Sequence, residues 1–323
     1  MPPVRSALVS YFELDDLERL LGVLENAGMP PDTRVHVGTY GIRGETSELI
    51  RADPGRRYSP IFRTARGDAW EGRRLTPQEE QLVEHRYRGR VPSRARLLEL
   101  SVNQRIGWGV EVGRRYRDRI RHARRSGIRV DKWQLDELGP RLAGSQGRLH
   151  RQFARGILRG LTLGRPALGD REINGWVWAT RGVLRLASRP ADQELRRFWH
   201  WLDRACFRIL GEEYANFVGD PVQSARRHAD GQRALAAGGP VRRRLAARYV
   251  AGLTPGYRLG GGLGGNVQGL PRAEVVRWRN AYVDARARQG VAGFAEYHFR
   301  FENSRTFVMR DALRAVARGM AEI

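Results

Sequence analysis

The stretch Arg129-Val-Asp-Lys-Trp-Gln-Leu-Asp-Glu137 follows a basic helical segment and ends in two adjacent carboxylates, Asp136 and Glu137. We predict that it is a β-strand. Charged groups at the end of a buried strand are costly to desolvate unless they are paired or used. Two other strand-like runs end in acids and a tyrosine, at Gly211-Glu-Glu-Tyr214 and Ala295-Glu-Tyr297. Polar groups gathered at strand ends therefore predict an active site.

Eight short apolar runs occur along the chain, and each precedes a segment with helical periodicity. Strands are predicted at residues 7–12, 35–40, 97–102, 129–137, 173–179, 206–210, 249–253 and 291–299. Eight such repeats are typical of an α/β fold of the (β/α)8 or TIM-barrel type. A doubly wound open sheet is the competitor, but repeats that fill the chain favour closure. We expect one domain over residues 1–323, with an insertion after the second strand at about residues 42–95.

Arginine supplies 57 of the 58 basic residues and gives the chain a formal net charge of +23. Lys132 is the only lysine. So extreme a ratio indicates a coding bias, and the arginines are spread over the whole length, whereas a nucleic-acid footprint is a clustered face or stripe. Nucleic acid is therefore not the expected partner, although nonspecific affinity for polyanions follows from the charge.

The composition disfavours several other classes of protein. A hydrophobic content of 41% fits a globular core and not a disordered chain. No run of about 18 apolar residues predicts a transmembrane helix. The N-terminus lacks the apolar core of a signal peptide, which makes the cytoplasm the default location and leaves export open. The single Cys206 excludes an internal disulfide, no ligand spacing predicts a metal, and no cofactor is expected.

In barrels of this kind the active site lies at the carboxyl ends of the strands. The predicted strand ends carry carboxylates, aromatic rings and an amide. They are Tyr40, Asn103, Asp136, Glu137, Trp178, Glu212, Glu213, Tyr214, Tyr257, Glu296, Tyr297 and His298. A carbohydrate site needs such groups, because one acid protonates the leaving oxygen, a second carboxylate attacks or activates water, and flat rings stack on sugars.

The arrangement resembles the glycoside-hydrolase-like barrels, in which acids lie at the ends of strands four, six, seven or eight. Leu135-Asp136-Glu137 resembles the strand-four acids of spherulin-type and chitinase-like enzymes. The resemblance is architectural and covers most of the chain, while its motifs are short. The chitinase pattern of four spaced acids is not met, since Asp131, Asp136 and Glu137 have a different spacing. No single family is assigned.

We expect a glycoside hydrolase that acts on a carbohydrate or glycoconjugate, with Glu137 as the general acid and Glu213 as the nucleophile or base. Asp136 and Glu296 are expected to tune or position them. The expected substrate contacts are Tyr40, Asn103, Trp133, Glu212, Tyr214, Tyr257, Tyr297 and His298. Retaining chemistry needs the two carboxyl groups about 5 Å apart and inverting chemistry about 6.5–9.5 Å, and the sequence does not choose between them.

The paired acids also have structural interpretations that involve no chemistry. Asp136 or Glu137 could cap the helix that follows, because acids are favoured at helix N-termini. One member of the pair Glu212-Glu213 could form a salt bridge with one of the many arginines.

The alternation of side chains along two predicted strands leaves further interpretations of their residues open. Glu296 shares a strand face with Phe294 and His298, so it is functional or tightly paired if that face lines the barrel. Trp176 and Trp178 also share a face, and such residues are more often part of a core than platforms for sugars.

Two features favour a different class of enzyme. Gly260-Gly-Gly-Leu-Gly-Gly265 follows the seventh strand and contains GxGxxG, which could cradle a phosphate or form a lid. Lys132 could form a Schiff base if it were desolvated within the barrel, as in aldolase-type lyases, or pair with a neighbouring acid. A barrel that binds a glycan without turnover is the third hypothesis, because no signature proves catalysis.

Overall fold

The computed structural model describes residues 6–11, 17–39, 57–63, 98–125, 132–138, 142, 147–162, 174–179, 181–190, 192–213, 219–253, 270–299 and 306–323. The strands in these segments are β1 (Ser6–Tyr11), β2 (Arg34–Thr39), β3 (Arg57–Arg63), β4 (Trp133–Leu138), β5 (Gly175–Ala179), β6 (Cys206–Glu212), β7 (Tyr249–Leu253) and β8 (Phe294–Phe299).

The helices in the same segments pack around the strands. They are α1 (Leu17–Asn26), α2 (Val102–Arg125), α3 (Gly147–Thr162), α4 (Arg181–Leu186), α5 (Gln193–Ala205), α6 (Pro221–Ala236), α7 (Pro240–Ala246), α8 (Arg272–Arg288) and α9 (Thr306–Ala321). None of these helices is long and apolar enough to cross a membrane.

The strands form one curled parallel sheet. Each strand pairs in parallel with the next strand along the chain, and β8 pairs in parallel with β1, so that the sheet closes on itself. The predicted α/β class with a parallel sheet is confirmed. The eightfold alternation of strand and helix stays a prediction, because residues 40–56 between β2 and β3 lie outside the described segments.

The third strand is not where we predicted it. Residues 98–99 are helical and α2 begins at Val102, so the strand predicted at residues 97–102 is wrong. Ser101 and Gln104 form a capping box: the Gln104 amide donates to Ser101 Oγ at 3.2 Å, and the Ser101 amide donates to Gln104 Oε1 at 2.8 Å. This Ser-x-x-Gln signal starts a helix, and the leucines before it do not form a strand.

The observed third strand, β3, lies inside the segment that we predicted as an insertion. It pairs with β2 on one side and β4 on the other. The prediction missed it because Pro60 interrupts its pattern, and a proline argues against a strand with two neighbours. The segment at 42–95 therefore contributes to the sheet and does not merely frame it.

The closed sheet separates two apolar clusters. The main core lies between the sheet and the helices and includes Trp133, Leu135 and Phe294. A smaller cluster lies in the lumen and contains Trp176, Leu210, Val250 and Ala295. Because side chains alternate along a strand, each residue of the sheet belongs to one of these two environments.

Helices α2 and α3 pack with their backbones in contact. A Cβ atom added at Gly113 would lie 2.2 Å from the Ile157 carbonyl oxygen and 2.9 Å from Gly160 Cα, and one added at Gly109 would lie 2.9 Å from Gly156 Cα. Both helices thus contribute a Gly-x-x-x-Gly pair, which lets two helices approach closely. The spacing of α3 against α2 depends on these glycines.

We expect Gly113→Ala to lower the free energy of unfolding by about 3 kcal/mol, because the new methyl group meets backbone atoms that cannot rotate away. Gly107→Ala on the same helix is the matched control. A Cβ at Gly107 meets nothing within 4 Å, so alanine there should stabilise the helix by about 1 kcal/mol. Urea unfolding measures both changes, and equal effects of the two substitutions would contradict the close packing.

Candidate functional site

Register and burial show which side chains of β6 face the lumen. Leu210 belongs to the lumen cluster, whereas a Cβ at Gly211 would meet the hydroxyl of Tyr249, a main-core residue. Glu212, two residues beyond Leu210, is therefore on the lumen face. It is half-buried and ends the strand. Among the described side chains, Glu212 places a carboxylate at the carboxyl end of the lumen.

The register in which β4 pairs with β5 shifts at the two acids Asp136 and Glu137. From Leu135 to Leu138, three residue steps on β4 span two steps on β5. Both leucines are buried in the main core, although residues three apart on a regular strand face opposite sides. A β-bulge therefore lies at Asp136-Glu137, whose side chains are outside the described part of the chain. Bulges are frequent next to active sites, where they re-aim side chains.

Strand β8 has the same feature at its carboxyl end. From Glu296 to Phe299, three residue steps on β8 span two steps on β1. The additional residue falls at Tyr297-His298, whose side chains are also outside the described part. Two bulges at one end of the sheet thus carry four of the predicted site residues.

Glu213, the expected nucleophile or base, is buried on the other side of the sheet, with 1% of its surface exposed. Arg286 of α8 donates from Nε to Oε2 and from Nη2 to Oε1, both at 2.7 Å. The hydroxyl of Tyr282 donates to Oε2 at 2.6 Å. Burial alone would raise the pKa of Glu213, but the charge and hydrogen bonds of Arg286 outweigh it and hold the pKa below its ordinary value.

This geometry does not agree with a role for Glu213 in chemistry. Both carboxylate oxygens accept hydrogen bonds from α8, and removing one partner of a buried ion pair typically costs about 3–5 kcal/mol. Glu213 thus forms the salt bridge with an arginine that was one interpretation of the pair Glu212-Glu213. Its role in the structure is to hold the end of β6 against α8.

Glu296 is also turned away from the lumen. Ala295 before it lines the lumen, and Phe294 packs against α9, where a Cβ at Gly319 would lie 2.5 Å from its ring. Glu296 is fully buried, and neither carboxyl oxygen has a hydrogen-bond partner among the described residues. Burial raises its pKa to about 8, against a smaller opposing effect of the Arg279 charge. The face that it shares with Phe294 does not line the barrel.

Some of the predicted substrate contacts lie away from the lumen, and others lie outside the described residues. Trp133 is fully buried in the main core and packs on Gly175, where a Cβ would lie 2.1 Å from the indole ring, so it is not positioned to contact a substrate. Asn103 is in the first turn of α2 and not at a strand end. The residues outside the described segments are Tyr40, Tyr214, Tyr257 and the loop at 260–265, and the side chain of Trp178 is also not described.

Lys132 lies at the amino end of the sheet, immediately before β4. Its Nζ donates to Asn174 Oδ1 at 2.6 Å and lies 4.7 Å from the centre of the Phe207 ring. Active sites of parallel barrels lie at the carboxyl end. This position does not support a Schiff-base role for the lysine.

The prediction overlooked polar residues in the lumen below the carboxyl end. His36, Gln134 and Arg208 are all buried. The register pairs Gln134 with Trp176 and Trp176 with Arg208, and the His36 ring lies 5.1 Å from that of Trp176. Burial lowers the pKa of Arg208. Such lumens are usually filled by branched apolar residues. We call these three buried polar residues the polar floor of the lumen, and they distinguish it from the usual apolar filling.

A sequence signal for this floor was present. Gln134 lies two residues before Asp136, and Arg208 lies four residues before Glu212, within runs otherwise rich in apolar residues.

No group of three or more His, Cys, Asp or Glu side chains in the described segments could hold a metal ion.

We expect Glu213→Gln to lower the free energy of unfolding at pH 7 by about 3 kcal/mol, because it leaves the Arg286 charge buried and unbalanced. Since the folded pKa of Glu213 is depressed, its contribution is present above the unfolded pKa and is lost as the pH falls through the folded value. Urea unfolding from pH 7 to pH 3 should show that the difference in free energy of unfolding between variant and wild type shrinks below about pH 4. Equal free energies of unfolding at pH 7 would contradict the ion pair.

The opposite pH dependence is expected for Glu296→Gln. The folded pKa of about 8 lies above the ordinary value of 4.5, so the stability that the protonated acid contributes is full below about pH 4.5 and is lost as the pH rises through 8. Relative to wild type, the free energy of unfolding of the variant should rise by up to about 4 kcal/mol between pH 5 and pH 9. Thermal unfolding at these two values measures the change, and a constant difference would contradict a buried, protonated acid.

Comparisons with known proteins assign no family. No protein-family model matches the chain, and no curated protein matches it. Among solved structures, the chain is similar to the spore cortex-lytic enzyme SleL of Bacillus megaterium QM B1551, with a TM-score of 0.48 and 9% sequence identity. The similarity covers 96% of this chain and 75% of SleL.

Proposed function

We propose that the chain is a carbohydrate-active enzyme, a glycoside hydrolase on a single (β/α)8 barrel, with its paired carboxylates on β4 and β6. One observation carries the proposal: the bulge at Asp136-Glu137 and the lumen-facing Glu212 lie at the same end of one closed sheet. Active sites of parallel barrels are built at this end. The pairing of β8 with β1, which joins the two halves of the chain, supports the single domain.

The separation of these strands suits a reaction that needs two carboxyl groups. Only β5 lies between β4 and β6, and neighbouring strands are about 4.8 Å apart, which separates the two backbones by about 10 Å. Side chains that extend from both strands toward the lumen axis come closer than that. Both the retaining distance of about 5 Å and the inverting distance of about 6.5–9.5 Å are within reach.

We assign the proposed roles from the position of each residue at its strand end. Glu137 is the general acid, Asp136 positions it, and Glu212 takes the place first given to Glu213 as nucleophile or base. Arg208 lies two strand positions before Leu210 on the lumen side of β6, where its charge favours an anionic group above it. Proposed substrate contacts are Tyr40, Trp178, Tyr214, Tyr257, Tyr297 and His298.

The test is release of reducing sugar from a broad panel of polysaccharides by wild type and by Asp136→Asn, Glu137→Gln and Glu212→Gln. These substitutions keep the shape and remove the ionisable group. We expect loss of the general acid or of the second carboxylate to slow release by about 100-fold or more. Glu25→Gln on the exposed side of α1 is the matched control and should retain full activity.

Circular dichroism must show that each variant is folded. Activity that persists in both Glu137→Gln and Glu212→Gln would overturn the assignment of the carboxylates. Binding of a polysaccharide without release of product by wild type would favour a glycan-binding barrel. Nuclear magnetic resonance of the first product formed identifies the anomer and so separates retention from inversion.

A further inference from the structure

We infer that the substrate of this site is an anionic glycan that bears carboxylate or sulfate groups, and that arginines at the starts of α2, α3 and α5 bind those groups. The inference rests on the proposed function for the location of the site. The arginines at the helix starts, which the catalytic proposal does not use, carry the substrate class.

The starts of these three helices lie at the carboxyl end of the sheet. Each helix follows a strand and runs back along it, so its first turn lies at the end where Glu212 and the two bulges are. Arg105 of α2 donates from Nε to Gln152 Oε1 of α3 at 2.7 Å. Arg155 of α3 donates from Nη1 to Glu194 Oε2 of α5 at 2.9 Å. These contacts join the three helices into one rim.

The rim carries a large excess of positive charge. We call six of its arginines the arginine rim: Arg105, Arg148, Arg151, Arg155, Arg189 and Arg197. Arg105, Arg151 and Arg155 are buried and donate hydrogen bonds within the protein, to Gln152, to the Leu142 carbonyl and to Glu194. Arg148, Arg189 and Arg197 are exposed. The rim thus presents three guanidinium groups to solvent, above a buried layer of further arginines.

The placement of these arginines opposes the electrostatics of helices. Neither α2 nor α3 has an acid in its first turn, and both have an arginine there, Arg105 and Arg148. Cations at a helix N-terminus face the positive end of the helix dipole, where acids are favoured. Helix α7 likewise has no acid in its first turn and carries Arg242 and Arg243 there, whereas α5 and α8 carry Glu194 and Glu274. The first turns of α2 and α3 therefore add positive charge to the rim at positions where a cation does not stabilise the helix.

The lumen below the rim adds a further cation. Arg208 is 8% exposed and lies in the layer of Gln134 and Trp176. A positive rim above a lumen with a buried cation concentrates anions at the site. Guanidinium groups bind carboxylate and sulfate through paired hydrogen bonds. A glycan is favoured over a nucleic acid because the rim is confined to one mouth of the barrel and is not a long stripe.

The experiment measures binding by isothermal titration calorimetry of short oligosaccharides in matched charged and uncharged forms. One pair is oligogalacturonate and its methyl ester, and the other is chondroitin sulfate oligosaccharide and its desulfated form. Salt of about 150 mM suppresses diffuse attraction to the net charge. We expect a charged form to bind and its neutral partner not to bind, and the two pairs distinguish carboxylate from sulfate.

The variant that tests the rim is Arg148→Gln combined with Arg189→Gln. It should weaken binding of the charged oligosaccharide by about 10-fold or more through loss of charge-assisted hydrogen bonds. The matched control combines Arg233→Gln with Arg243→Gln, two exposed arginines late in α6 and in α7. The control should change affinity by less than about 2-fold. Equal weakening by both pairs of substitutions would overturn the inference, as would equal binding of charged and neutral forms.

Arg148→Glu separates a binding role from a structural one. An acid at this position complements the helix dipole and the neighbouring arginines, so we expect a higher Tm together with loss of anion binding. A lower Tm with unchanged binding would show that the arginine is structural and would overturn the inference.

Two further outcomes keep the two proposals apart. Binding of the charged oligosaccharide without hydrolysis by wild type would support the anionic ligand and contradict the hydrolase. Hydrolysis of neutral glycans that Arg148→Gln and Arg189→Gln leave unchanged would support the hydrolase and overturn the anionic substrate. A single-stranded oligonucleotide of equal charge that binds as tightly, and is equally weakened by the rim variant, would overturn the glycan class.

Discussion

The parallel pairing of β8 with β1 is the constraint on which the rest of this structure depends. Once the last strand meets the first, the sheet has an inside and an outside, and strand alternation assigns every residue to one of them. A shift of one residue moves a side chain from the lumen to the helical layer. The bulges at Asp136-Glu137 and Tyr297-His298 change this assignment locally, at the end of the sheet where polar residues collect.

Two buried glutamates on the outer side of the sheet show how strongly a neighbouring group sets the pKa of a buried acid. Glu213 is clamped by Arg286 and has a depressed pKa, while Glu296 has no hydrogen-bond partner among the described residues and a pKa raised to about 8. Burial acts on both in the same direction, because it penalises the charged form. A bidentate guanidinium within hydrogen-bond distance reverses the result for Glu213. Neither acid faces the lumen, which leaves Glu212 as the described carboxylate of β6 at the candidate site.

The arginines of this protein do several different things. Arg286 and Arg155 neutralise buried glutamates, and Arg208 makes the lumen polar. Arg105 and Arg148 stand at helix starts, where a cation is unfavourable for the helix itself. A coding bias explains why the residue is arginine and not lysine. Under the proposed anionic ligand, the exposed member of this pair, Arg148, is the one that would contact the substrate.

The sequence by itself determined the α/β class, most strands and the identity of the acids near their ends, because these follow from local periodicity and composition. Local signals also existed where the prediction failed, since the Ser101 and Gln104 capping box marks the start of α2. Only the tertiary structure decided which face each residue occupies. Glu212 and Glu213 are adjacent and chemically identical, and the register of β6 against β7 and the reach of Arg286 separate them. Such contacts join residues that are distant along the chain, and no local pattern encodes them.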